Sequence, residues 1–147
     1  MENFRFPMFV DLRGQKVLVV GGGPVALRRV GVLLKFGAQV IIIAPQCPKV
    51  PKGAVHLPRA YEPGDLSGAF LAVAATNDRS VNHQVGLDAK ALGIPVSVAD
   101  CKEECTFFFP AICQGEGLVA GVISDGSDHK KTARAAKAIR SVLEELS

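Results

Sequence analysis

The sequence predicts an α/β fold: a doubly wound parallel sheet, then a small pair of added strands and a C-terminal helix. Three observations carry that expectation. Val17–Val20, Val40–Ile43 and Phe70–Ala75 are continuous apolar runs of strand length, as strands covered on both faces must be. Stretches with apolar residues at helical spacing separate them. A glycine cluster, Gly21-Gly22-Gly23, stands between the first run and the first helical stretch.

The elements follow in a regular order. After Lys16–Val20, Pro24 opens a helix in which Ala26, Val30, Leu33 and Leu34 share a face, and Gly37 supplies its stop. Val40–Ile43 is a strand ended by Ala44-Pro45, and a short strand is expected at Ala54–Leu57. Phe70–Ala75 is the next strand, ending in Thr76-Asn77-Asp78. A helix over Ser80–Leu92 with Gly93 as stop leads into a strand at Pro95–Ala99, which closes on Asp100. Strand–helix–strand twice over makes a doubly wound sheet. Beyond it, Thr106–Ile112 and Leu118–Ser124 read as added strands. Residues 129–146 read as an amphipathic helix, with Ala135, Ile139, Val142 and Leu146 on one side and Lys130, Arg134 and Lys137 on the other. The expected division is 1–105 for the sheet domain and 106–147 for a strand pair and helix.

Composition excludes several classes. A chain of 147 residues can bury a core of its own. The net charge of +3 is mild, and the eight Phe and one Tyr form no ladder between basic residues, so no nucleic-acid partner is expected. No apolar run approaches the roughly 20 residues that cross a bilayer. Met1–Arg5 lacks the pattern of a secretory signal. A cytoplasmic protein is therefore expected, with Cys47, Cys101, Cys105 and Cys113 reduced. Cys101 and Cys105 are the one close pair, and His56, His83 and His129 are scattered, so no metal site is expected.

The pattern Gly21-x-Gly23-x-x-Ala26 between a buried strand and a helix is the setting of a dinucleotide-binding turn. Gly21 would make the turn, Gly23 would admit the pyrophosphate to the backbone, and Ala26 would allow close helix–strand packing. The phosphates would meet the helix N-terminus at Pro24 and Val25. An acid for the adenosine ribose is expected about 20 residues later, but the second strand ends in Ala44-Pro45. These residues therefore do not choose between NAD and NADP. Ligands lie beyond the carboxyl ends of parallel strands, which brings Thr76, Asn77, Asp78 and Asp100 towards the same crevice as Gly21, Gly22 and Gly23. Asp100 could serve as a general base there, or as a turn or helix cap.

The ordered set of motifs resembles the precorrin-2 dehydrogenase family, the N-terminal module of siroheme synthase. It comprises Pro7–Leu12, Val17–Ala26, Leu33-Leu34 with Gly37-Ala38, Ala44-Pro45, Gly68–Leu71, Ala74–Asp78 with Val81-Asn82, Ser97–Asp100 and Phe107–Ala111. The resemblance implies NAD as cofactor despite the absent ribose acid, precorrin-2 as tetrapyrrole substrate, and sirohydrochlorin as product. It matches Asp100 to the family's catalytic aspartate, and it implies a homodimer formed through the strands after the sheet. Some members are also sirohydrochlorin ferrochelatases, with ferrous iron as a second substrate. Arg28, Arg29, Ser124, Lys130, Arg134 and Lys137 are weaker candidates for contact with the substrate's carboxylates.

Two stretches depart from the family pattern. Ser97 stands where Asn is usual, and Ser124–His129 replaces a small-residue turn near the substrate side. The family usually continues into a helical C-terminal domain, whereas this sequence stops at Ser147. A short form, a piece of a longer protein, or a wall supplied by a partner would each account for that. The leading functional expectation is NAD-dependent oxidation of precorrin-2 in siroheme or haem synthesis. The alternative is a non-catalytic NAD-binding regulator or assembly partner with the same core; a dehydrogenase of unrelated substrate is a third reading.

Overall fold

The structure, a computed structural model, describes residues 3–126 and 128–147. The chain divides into two units, Val10–Phe107 and the N-terminal segment through Phe9 with Phe108–Ser147. In the first unit, β1 (Lys16–Val20), β2 (Gln39–Ile43), β3 (Val55–Leu57), β4 (Leu71–Ala74) and β5 (Val96–Val98) form a parallel sheet. Their order is β3-β2-β1-β4-β5. Two helices, α1 (Pro24–Lys35) and α2 (Arg79–Ala91), connect β1 to β2 and β4 to β5.

The apolar runs behave as two-faced strands. Leu18 and Val20 join a core with Ala72, Ala74, Val85, Ala89, Val96 and Val98. Val17 and Val19 point the other way and are equally buried. The register pairs Val20 with both Ile43 and Ala74, Ile43 with Leu57, and Ala74 with Val98. All five strands thus end at one level, which fixes where a ligand crevice can be.

Both helices stop by the same device. At the end of α1, Ala38 N–H donates to Leu33 O and Gly37 N–H to Leu34 O. At the end of α2, Ile94 N–H donates to Ala89 O and Gly93 N–H to Lys90 O. This pair of hydrogen bonds reverses the chain straight into the next strand. The observed bounds of these elements lie within one or two residues of those predicted, the usual latitude at frayed ends.

In the second unit, β6 (Ala111–Gly115) and β7 (Leu118–Val122) pair antiparallel, and α3 (His129–Glu144) packs on them. Two sequence expectations are corrected here. The strand expected at Thr106–Ile112 begins only at Ala111. Thr106 and Phe107 instead close the edge at β5: Val96 N–H donates to Thr106 Oγ1, while Thr106 and Phe107 N–H groups donate to Val96 O. Pro110, lacking an N–H, then bars an early ladder. The buried face of α3 is also rotated from the predicted one. Ala136 and Leu143 are buried with Ile139 beside them, whereas Val142 is 55 % and Leu146 60 % exposed. The shift follows from packing against Cys113 and Ala120 of the hairpin, and from the end of the helix at Glu144, before Leu146.

Leu66 lies in a 3-10 turn, Pro63–Leu66, that the periodicity did not announce, yet it is fully buried in the sheet core. Leu66→Ala should therefore cost about 2–5 kcal/mol, as buried Leu truncations do. Urea unfolding checks this; a loss below about 0.5 kcal/mol would mean the site collapses onto the smaller side chain.

Candidate functional site

The glycine turn sits where the strand ends converge. Gly21 extends β1, donating its N–H to Ile43 O at 2.9 Å, and has φ 129°. A Cβ there would lie 2.3 Å from Ala75 O, and one on Gly22 would lie 2.3 Å from Gln46 O. Those two glycines are dictated by the protein's own backbone. Gly23 differs: a Cβ there meets nothing within 4 Å, and the residue is the N-cap of α1 with no side-chain capping bond. Pro24 and Val25 open the helix exposed, while Ala26 is fully buried beneath it. The first turn of α1 therefore faces open space with bare backbone, the setting in which helix N–H groups bind phosphate. The turn fits a dinucleotide pyrophosphate.

A cleft of about 620 Å³ lies beside it, lined by Val20, Ile43, Pro45, Ala60, Tyr61, Thr76, Asn77, Asp78, Arg79 and Val81. Of the two residues predicted at the end of β2, Pro45 lines the cleft. Ala44 is buried, and its carbonyl accepts from His56 Nε2 at 2.8 Å. Tyr61 is oriented by donation to Asp88 Oδ2 at 2.7 Å, and burial, then that carboxylate, raises its pKa above the usual phenol range.

The segment after β4 is built as a clasp. Thr76 donates from N and Oγ1 to Asn82 Oδ1 at 3.0 and 2.7 Å, and Asn82 returns a bond to Thr76 O at 3.1 Å. Asn82 is fully buried, so these bonds satisfy an amide inside the core. Asp78 caps α2, accepting from Ser80 N at 2.9 Å and Ser80 Oγ at 2.6 Å. The Ser80 hydroxyl, then backbone N–H groups, hold its pKa below the usual carboxylate value. Of the three residues predicted here, Thr76 and Asp78 thus have structural partners within the chain, while Asn77 is exposed on the cleft.

Asp100 stands in the turn after β5, and its Oδ1 accepts from Arg79 Nη1 at 2.6 Å. Arg79 also binds Glu104 through Nη2, and His83 Nδ1 meets the same Glu104 Oε1 at 3.1 Å. Burial pushes the Glu104 pKa up, but bonds from Cys101 and His83 and the Arg79 charge outweigh it, and the net shift is downward. Conversely, the bond to Glu104, then burial, raises the Cys101 thiol. Sequence reasoning singled out Asp100 but missed Arg79 and Glu104. The available signal was the spacing of Arg79 and His83, which at i, i+4 share the α2 face.

The weaker candidates are distributed. Arg28 is exposed on α1, whereas Arg29 is partly buried and donates to Ser97 Oγ at 2.9 Å. Burial lowers the Arg29 pKa. Ser97, the departure from the family's Asn, thus receives a guanidinium inside the first unit. Ser124, Lys130 and Arg134 belong to the second unit. Ser124 O accepts from Arg5 Nη1 at 3.2 Å, and that guanidinium lies 4.0 Å over the Phe108 ring. Lys130, Arg134 and Lys137 are exposed on α3, and Asp128 caps it through Lys131 N–H. Within the departing turn, Ser127 lies outside the described residues. All four cysteines are free thiols. Among the described residues no group of three or more His, Cys, Asp or Glu is placed to hold a metal, and no helix is long and apolar enough to cross a membrane.

Comparison with known proteins meets this geometry. Residues 8–111 match the model of the NAD(P)-binding family NAD_binding_7. "Probable multifunctional siroheme biosynthesis protein HemA" of Ruminiclostridium josui is 46 % identical over 145 residues, 94 % of this chain and 28 % of that protein. Siroheme synthase of Methylobacillus flagellatus is 42 % identical over 127 residues, 82 % of this chain and 27 % of that protein. The solved structure "SirC, precorrin-2 dehydrogenase" superposes with a TM-score of 0.74 at 27 % identity, covering 94 % of this chain and 71 % of that one. The chain thus spans 28 % or less of the length of these two sequence relatives. It belongs to the NAD(P)-binding family of that model, and its relatives there are siroheme synthases and a precorrin-2 dehydrogenase.

Proposed function

We propose that this chain carries out the NAD-dependent oxidation of precorrin-2 to sirohydrochlorin, with Asp100 as the proton acceptor. The observation that carries the reading is Asp100 standing on Arg79, which itself lines the cleft beside the glycine turn. The relatives' names supply the substrate class. Bound NAD supplies a hydride acceptor. Gly21, Gly22 and Gly23 with the first turn of α1 would hold its pyrophosphate, and Pro45, Tyr61 and Asn77 would border its adenosine half. Oxidation of precorrin-2 removes one hydride and one proton. Asp100 takes the proton, with Oδ1 on Arg79 leaving Oδ2 to receive it. Arg28, exposed on α1, would complement the substrate's carboxylates. We assign the homodimer contact to the β6–β7 hairpin, whose Leu118 and Val119 are exposed.

The turn at Ser124–His129, which departs from the family pattern, favours a second reading, a non-catalytic NAD-binding regulator or assembly partner. That reading requires NAD binding without turnover.

Three measurements test these assignments. Gly23→Asp places a carboxylate in open space at the pyrophosphate site. Asp is at least as good an N-cap as Gly, so the variant should melt no lower than the parent. Its affinity for NAD should fall more than about tenfold, ~1.4 kcal/mol or more. Unchanged NAD affinity by calorimetry would remove the glycine turn from the site. For Asp100→Ala, anaerobic NADH formation from precorrin-2 should slow by about 10²–10⁴-fold, the range for a lost general base. An unaltered rate would sink the assignment of Asp100, and a parent chain that binds NAD without turnover would establish the second reading. Light scattering should give a mass twice the 15.5 kDa of one chain; the monomer mass at micromolar concentration would overturn the dimer.

A further inference from the structure

We infer that Arg79 is the positioning residue for Asp100, and that Glu104 holds Arg79 to that task; this rests on Asp100 being the proton acceptor. Arg79 is the first residue of α2, next to the capping Asp78, so its backbone is fixed where the helix begins. Its guanidinium spans two carboxylates from separate turns, Asp100 through Nη1 and Glu104 through Nη2. A planar fork sets two directions at once, which a single ammonium cannot do.

Two features suit this arrangement to holding a base rather than silencing one. Only Oδ1 of Asp100 is engaged, and among the described residues Oδ2 has no hydrogen-bond partner. The fork therefore fixes the rotation of the carboxylate and leaves one oxygen to receive a proton. Charge balance points the same way. One guanidinium between two carboxylates neutralises one of them, so beside a neutral His83 the set keeps a net negative charge. Glu104 is secured in turn by His83, so the anchor of Arg79 is itself tied to α2.

The pair is also a poor stability device. Arg79 is 45 % and Asp100 38 % exposed, and exposed ion pairs contribute little to folding. Variants at these positions should therefore fold, and their effect should appear in the chemical step.

The test uses the full chain, with single-turnover NADH formation from precorrin-2 and calorimetric NAD binding measured on each variant. Arg79→Gln should lower the rate by about 10²-fold, the cost of a reacting group displaced by about 1 Å. NAD affinity should stay within about twofold, because the pyrophosphate site is built by backbone at α1. Arg79→Lys should recover only a minor part of the rate. Glu104→Gln should cost severalfold alone and nothing further beside Arg79→Gln, since residues acting as a unit are non-additive. Asp100→Asn with Arg79→Gln should likewise be no slower than Asp100→Asn alone.

Losses that multiply, or a full rate in Arg79→Gln while Asp100→Asn is slow, would overturn the positioning role and leave Asp100 as the base. A tenfold loss of NAD affinity in Arg79→Gln would make Arg79 a cofactor anchor instead. A fully active Asp100→Asn would remove both the base and its positioning residue.

Discussion

β1 ends at a point where its own backbone has no room for a side chain. Gly21 lies against the carbonyl of Ala75, just after β4, and Gly22 against the carbonyl of Gln46, beyond β2. The continuations of three adjacent strands therefore close on one another at contact distance, and the register that brings Val20 level with Ile43 and Ala74 requires it. Everything functional depends on that convergence. It sets the start of α1 at Gly23, opens the cleft beside Val20 and Ile43, and fixes the level at which Thr76 and Asp100 leave the sheet.

The ionisable groups of the first unit divide by what they touch. Asp78 is spent on the α2 N-terminus, and Asp65 on a two-point pair with Arg59 at 2.6 and 2.9 Å. Arg29 reaches Ser97 in the interior. Each of these satisfies backbone or burial, and each would be expected in a protein with no ligand. The Asp100–Arg79–Glu104 set is different. It caps no helix, ties the start of α2 to the turn after β5 and to Glu104, and uses half of the Asp100 carboxylate. Its geometry is costly in side-chain entropy for a pair so open to water, which makes orientation the better account of it.

Much of the fold was legible because its signals are local. Val17–Val20 and Leu71–Ala74 must be two-faced strands, since no alternation offers a polar side. Gly37 and Gly93 close helices through bonds to residues three to five positions back. What escaped the sequence was non-local. That Gly22 is required by Gln46, rather than by a ligand, depends on a loop more than twenty residues away. The buried face of α3 is chosen by Cys113 and Ala120, so a hydrophobic stripe of similar strength one step around the helix was the natural but mistaken reading. Three consecutive phenylalanines look like a strand, yet Thr106 already saturates both polar groups of Val96 and ends the sheet there. Asp100 was visible as an acid at a strand end. Its partners were not, because Arg79 lies across the β4–β5 connection and reads alone as an ordinary first-turn residue.

The end of β2 bears on cofactor choice. A carboxylate at that position rejects a 2′-phosphate and binds the free ribose hydroxyl, and a nearby guanidinium does the reverse. This chain presents Ala44, Pro45 and Gln46, with Ala44 turned inward and its carbonyl held by His56. Pro45 can donate nothing from its backbone. The proposed site would therefore offer the dinucleotide bare backbone at the start of α1 and an apolar wall of Val20, Ile43, Pro45 and Val81. Such contacts read the shape and the shared pyrophosphate rather than the 2′ substituent. The charged groups of the cleft stand instead at Asp78 and Arg79, and Asp100 rests on the latter.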